Sequence, residues 1–423
     1  MEDTIYRQYI SILREELIPA MGCTEPISIA YASAKARAVL GDLPDKILVE
    51  ASGNIIKNVK SVVVPHTGGL RGIPAAAAAG AFAGDEEAEL EVLSNVTREQ
   101  IEGIAEYLER TEVQVVHADT PHIFDIMITA YKGGDSAFVR IADHHTNVVT
   151  VKRNGEVLSE KELSEDVSSG LTDRSCLTIK GIVEFGECAC LEDVSDMLET
   201  QISYNMAIAE EGLKNDYGAN IGKTILQGCG FDLDRKMKAY AAAASDARMN
   251  GCELPVVINS GSGNQGITTS VPVIVYARET GKTHEELFRA LCVANLVTIH
   301  LKTGIGRLSA YCGAVSAGCG AAAGITFIKG GRFDEVAHTV VNAVAMDSGI
   351  ICDGAKASCA AKIASAVDAG LLGLAMYESG NQFFGSDGIV KKGVEETIRS
   401  VGYLARRGME QTDKEIIRIM LEN

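Results

Sequence analysis

Three cysteines offer the most direct chemistry in this sequence. Cys352 and Cys359 stand seven residues apart in Ile351-Cys352-Asp353-Gly354-Ala355-Lys356-Ala357-Ser358-Cys359, and Cys312 lies forty residues upstream beside Gly313. Thiolates are soft-metal ligands, so the set reads as a site for an iron–sulfur cluster with one iron left open, or for zinc held by three thiolates. On one continuous helix Cys352 and Cys359 would be about 10.5 Å apart along one face. That is wide for one cluster, so Cys352 is expected in a loop ahead of the helix that starts near Cys359, with Asp353-Gly354 supplying the break. Cys319 competes at the same seven-residue spacing from Cys312, but its Gly- and Ala-rich setting also fits core packing.

A fourth cysteine has a different setting. In Met21-Gly22-Cys23-Thr24-Glu25-Pro26, Gly22 permits a turn, Thr24 can cap and Pro26 suits a first helical turn. Cys23 therefore sits at a helix N-terminus, where the dipole favours the thiolate and lowers the thiol pKa. It reads as a reactive thiol or as a small buried cysteine.

Asn259-Ser260-Gly261-Ser262-Gly263-Asn264-Gln265-Gly266 follows the apolar run Pro255-Val256-Val257-Ile258 and precedes a helix. Such a loop can turn backbone N–H groups toward a carboxylate, or it can be an ordinary glycine-rich turn. Ser52-Gly53-Asn54, with Lys57 and Asn58, is a weaker case of the same kind. Gly218 to Thr224 resembles a phosphate loop but has three residues between its glycines instead of four, and no strand precedes it, which excludes nucleotide binding there.

The elements that must position these residues follow from composition and period. The chain has 423 residues, 46% hydrophobic and 23% charged, enough for two or three folded domains. It has 43 glycines and no tryptophan, which suits closely packed helices. A net charge of −18 argues against nucleic acid and anionic membrane surfaces as partners. The polar start resembles no signal peptide, and apolar stretches such as 313–328 are shorter than a bilayer span, so a cytoplasmic protein is expected. Eleven cysteines, an odd number, then read as thiols or metal ligands.

Helical spacing marks residues 3–18 and a second helix ending near Gly41. Lys46–Ala51, Val59–Val64, Glu112–His117, Ile123–Tyr131, Ala137–Ala142 and Val148–Leu158 read as strands, with turns at Gly133-Gly134 and Asn154-Gly155. His117, His122, His144 and His145 fall among them and read as structural or solvent-facing. After Gly170 the pattern is helical, and Thr283 to Glu286 forms a capping box. The expected fold is α+β. A mostly helical catalytic domain (171–423) packs with a smaller antiparallel-sheet α+β domain (42–170). N-terminal helices (1–41) carry Cys23 and pack on the catalytic domain.

Taken together, Met21 to Pro26, Ser260 to Gly266, Leu308 to Gly313 and Cys352 to Cys359 resemble the L-cysteine desulfidase family, which is related to the alpha chain of iron–sulfur L-serine dehydratases. The motifs run in order across nearly the whole chain. The resemblance implies a [4Fe–4S] cluster held by Cys312, Cys352 and Cys359, with Cys23 as a separate catalytic cysteine. The implied reaction is β-elimination of L-cysteine to hydrogen sulfide, ammonia and pyruvate, with an open iron as Lewis acid and Cys23 as base. Ser262, Asn264 and Gln265 are expected to hold the substrate carboxylate, with Thr24 and Asn54 as further candidates. Lys302 or His66 would orient substrate or balance charge. L-Serine by the same chemistry is the nearest alternative, and a cluster- or zinc-binding sensor of amino acids or redox state is the non-catalytic one. A small amino acid is the expected partner, and a homodimer the default assembly.

Overall fold

Two hydrophobic cores organise the chain. The structure, a computed structural model, describes residues 1–163, 171–227, 232–306 and 309–421. Gly170 at the expected domain boundary and Leu308 of the Cys312 motif lie outside the described residues.

The first core is built on a sheet. After a short strand β1 (Pro19–Met21), its strands are β2 (Lys46–Ala51), β3 (Glu112–His117), β4 (Asp125–Lys132), β5 (Asp135–Ala142), β6 (Val148–Arg153) and β7 (Glu156–Glu160). β2 shows why these residues form a strand: Ile47, Val49 and Ala51 are fully buried, while the residues between them are partly exposed. The spatial order is β3-β2-β4-β5-β6-β7. All neighbours are antiparallel except β2 and β3, which run parallel with Lys46 opposite Glu112. The sheet is therefore mixed. A crossover containing helices separates β2 from β3, and such a connection is what a parallel pair requires.

Helix α1 (Asp3–Glu16) packs elsewhere, whereas α2 (Thr24–Leu40), α3 (Gly53–Val59), α4 (Gly72–Ala83) and α5 (Arg98–Arg110) complete this core. The strand expected over Val59–Val64 does not form. Every residue of α3 is buried, so no alternation exposes one face, and the run continues as a loop with a single bridge from Val63 to Arg71. Period alone cannot separate a short buried helix from a buried strand.

The second core is helical: α6 (Ile179–Cys188), α7 (Leu191–Lys214), α8 (Ile221–Leu226), α9 (Leu233–Met249), strand β8 (Pro255–Val257), α10 (Gly263–Glu279), α11 (His284–Ile305), α12 (Gly313–Ile328), α13 (Phe333–Asp347), α14 (Cys359–Glu378) and α15 (Val394–Tyr403). A π-helical turn, Leu404–Gly408, leads into α16 (Glu410–Leu421). The capping box at Thr283 and Glu286 starts α11. Small residues bring α12 against two of its neighbours: a Cβ at Gly318 would lie 2.3 Å from Ala366 O of α14, and one at Gly320 would lie 2.0 Å from Thr298 Oγ1 of α11. α14 is long and apolar enough to cross a membrane, but half of that stretch is buried in the fold, against α9, α12 and α13.

The segment 1–41 is divided between the cores. α1 joins the helical core, and β1 pairs antiparallel with β8, Pro19 opposite Val257. α2 packs on α4, β4 and β5. Cys23 sits where the chain passes from one core to the other.

Candidate active site

Helices α2, α10, α12 and α14 begin at one cavity. Its volume is about 1810 Å³, and its walls come from both cores: Cys23, Asn54 and Lys57 from one, Gln265 and Cys312 from the other, with Cys359 beginning α14 but packing against the first. Cys23 is the N-cap of α2, Ser262 of α10 and Cys312 of α12, while Cys359 is the first residue of α14. All four line the cavity. Helix N-termini carry unpaired N–H groups and a partial positive charge, so this arrangement favours anions.

Local structure fixes the three cysteines. Tyr311 and Ile351 form an antiparallel bridge that sets Cys312 beside Cys352. Cys352 lies in a loop and α14 begins at Cys359, the arrangement the spacing demanded. Lys356 Nζ donates to the carbonyls of Asp353 and Gly354 at 2.8 and 3.2 Å, and Lys362 Nζ donates to Ile351 O at 2.9 Å, pinning the loop. Burial pushes the Cys312 thiol up to about 12, and Cys352 adds to the shift. Cys359 is raised by burial, with Cys352 again contributing. Two such thiols ionise together only when a cation compensates them. Among the described residues no three His, Cys, Asp or Glu side chains are arranged to hold a single metal ion. Cys319, two turns into α12, is 1% exposed and does not line the cavity.

Cys23 corrects one expectation. The helix N-terminus was expected to lower its pKa, but burial raises the thiol to about 12. Arg248 pulls it down, while Glu25 and Cys359 add to the rise. At 1% exposure desolvation outweighs the dipole.

The expected substrate-binding residues divide into free and engaged groups. In α10 the first helical bond runs from Gly266 N–H to Ser262 O, so the N–H groups of Gly263, Asn264 and Gln265 have no helical acceptor. Gln265 is 5% exposed, and its Oε1 is buried without a hydrogen-bond partner. The Thr24 hydroxyl lies 3.2 Å from Glu25 Oε2 and 3.3 Å from Gly261 O, tying α2 to the loop instead of capping. Asn54 donates through Nδ2 to Asp413 at 2.9 Å, leaving only Oδ1 without a partner. Lys302 lines the cavity; His66 does not, and its Nδ1 lies 3.4 Å from Glu253. His122 pairs with Asp143 at 3.0 Å.

Arg248 is the residue that motif reading missed. It is 5% exposed, lines the cavity, and donates to Gly22 O at 2.7 Å and Asn264 Oδ1 at 3.2 Å. The sequence did carry a signal: Asp246 and Arg248 interrupt an Ala-rich helical run just before Gly251.

The profile of the serine dehydratase alpha chain matches residues 87–418. The chain belongs to that family. The match takes in Arg248, the loop before α10 and the three cavity cysteines, while Cys23 and Asn54 precede it. Relatives matching along almost their full length extend the likeness. A UPF0597 protein of Desulfitobacterium hafniense is 56% identical over 99% of this chain and 98% of its own. One of Treponema denticola is 48% identical over 100% of both chains, and one of Lachnoclostridium phytofermentans is 49% identical over 99% and 100%.

Proposed function

We propose that this member of the serine dehydratase alpha chain family is a lyase that eliminates the β-substituent of L-cysteine, releasing sulfide, ammonia and pyruvate, with a [4Fe–4S] cluster on Cys312, Cys352 and Cys359. One observation carries the reading: Cys23, the glycine-rich loop and the three cysteines, far apart in sequence, line one cavity, all but Cys352 at helix N-termini. The donor set fits the cofactor. It consists of three cysteines on one cavity, with Lys362 among the charges acting on Cys312. When bound, such a cluster supplies a Lewis acid at its fourth iron, which makes a thiol or hydroxyl a better leaving group.

The chain's own residues supply the rest. The loop before α10 holds the substrate. Cys23 stands at the cavity wall as the group that takes the Cα proton in its thiolate form, which burial opposes and Arg248 favours. The Cα–H electron pair becomes the Cα=Cβ bond, and the Cβ–S pair leaves with sulfur. The aminoacrylate tautomerises to an imine, which water converts to pyruvate and ammonia.

L-Serine is the second reading, favoured by the description of the matching family. Side-by-side assay of pyruvate from L-cysteine and L-serine, after anaerobic reconstitution with iron and sulfide, decides between them. Faster turnover of L-cysteine with sulfide release supports desulfidation, and faster turnover of L-serine moves the activity to dehydration. No pyruvate from either, with iron and sulfide bound, rejects both and leaves the sensor.

A further inference from the structure

Arg248 is a buried cation with no carboxylate partner among the described residues. Its Nη atoms bond neutral oxygens, those of Gly22 and Asn264, and its Nε is buried with no partner at all. A buried charge without a counter-charge is costly, and a bound anion removes that cost. The neighbouring backbone is shaped for one. A Cβ at Gly263 would lie 2.3 Å from Arg248 Nε, so glycine at this position lets the guanidinium rest on the first turn of α10. There it adjoins the unpaired N–H groups of that turn. A guanidinium beside a helix N-terminus is a site for a carboxylate.

Gln265 presents the opposite polarity. Its Oε1 is a buried acceptor without a donor, and its amide is seated on Gly313, where a Cβ would lie 2.6 Å from Cδ. Arg248 thus stands on the Cys23 side of the loop, through Gly22, and Gln265 on the Cys312 side, through Gly313.

We propose that these two side chains read the zwitterionic end of an α-amino acid: Arg248 holds the α-carboxylate, and the Gln265 carbonyl accepts a hydrogen bond from the α-ammonium. This deepens the elimination reading and rests on it for the identity of the substrate. Gln265 passes from the carboxylate role expected of it to the ammonium. Simple carboxylic acids and amino-acid amides, each lacking one of the two groups, are then poor ligands.

The test is calorimetric titration of the reconstituted full-length protein with L-alanine, which carries both groups but no β leaving group. L-Alaninamide, which lacks the carboxylate, and L-lactate, which lacks the ammonium, are the controls. The wild type is expected to bind L-alanine best. Arg248→Gln weakens L-alanine by about 10- to 100-fold and leaves L-alaninamide unchanged, and Gln265→Leu weakens L-alanine but not L-lactate. Because Arg248 also holds Gly22, Arg248→Lys is the companion variant: it keeps the charge, loses the planar fork and is expected to weaken L-alanine selectively. No L-alanine binding by the wild type, equal binding of L-alanine and L-alaninamide, or full L-alanine affinity in both Arg248 variants overturns the assignment. Pyruvate assays on the same samples separate the two ideas. L-Alanine discrimination without turnover of any amino acid removes the elimination reading and keeps the zwitterion site, and turnover without discrimination does the reverse.

Discussion

Tyr311 and Ile351 pair in an isolated antiparallel bridge, and this contact sets Cys312 beside Cys352. Cys312 N–H donates to Ile350 O at 3.0 Å, and Cys352 N–H donates to Ala310 O at 2.6 Å. Tyr311 is 1% exposed, and its hydroxyl lies 3.1 Å from Ser348 Oγ. Tyr311→Ala is expected to destabilise the fold by about 3–5 kcal/mol and to lower bound iron and sulfide. Tyr311→Phe keeps the ring and loses one hydrogen bond, about 1 kcal/mol. Thermal melts together with iron and sulfide analysis on both variants check the difference. Equal metal content in the two would show that the bridge survives without the ring.

The cysteines should separate by role. Serine at 312, 352 or 359 is expected to abolish iron and sulfide retention after anaerobic reconstitution, whereas Cys319→Ser retains both, because Cys319 lies outside the cavity lining. Cys23→Ala is expected to keep the cluster and lose about 10²- to 10⁴-fold in pyruvate formation, the range for a lost general base. A Cys23→Ala protein with unchanged turnover would reduce Cys23 to a packing residue.

The C-terminal helix is held to the cavity by a buried charge. Lys57 Nζ lies 2.5 Å from Asp413 Oδ1, with the lysine side chain 1% exposed, and Asn54 donates to the other carboxylate oxygen. Asp413→Leu leaves Lys57 uncompensated and should cost about 3–5 kcal/mol, seen in urea denaturation and in faster proteolysis near the C-terminus. Lys57→Met combined with Asp413→Leu should recover most of the loss. A double variant no better than Asp413→Leu would mean that packing around the pair, not charge, holds α16.

Asp246 gives a pH signature. Burial raises its carboxyl to about 6, against the Gly222 N–H that favours the anion at 2.9 Å, and its Oδ1 has no partner. A folded pKa above the unfolded value, about 3.9, means the folded state prefers the proton. The associated stability is full below pH 4 and lost as pH rises to about 6. Asp246→Asn has no such loss, so its melting temperature relative to wild type should climb between pH 4 and 6 and then level off. A difference independent of pH would place the titration elsewhere.

Several features were legible without the fold because their causes are local. The Thr283 capping box, the Asn154-Gly155 turn between β6 and β7 and the start of a helix after Cys23 depend on side chains within a few residues. So does the loop before Cys359, where Gly354 has φ +94°. The parallel pairing of β2 with β3 was not legible, because two strands joined through helices carry no local mark of their direction. Nor was α3, whose residues are buried on every side. The site divides in the same way. Residue type and spacing singled out Cys23, Cys312, Cys352 and Cys359, but only the meeting of two cores put them on one cavity. That meeting also buried Cys23 deeply enough to reverse the direction its helix position implied, and the packing of α9 on α10 placed Arg248 against Gly263. Burial and charge pairing are sums over distant residues, so the sequence determined which groups are present and the tertiary structure decided their protonation and their company.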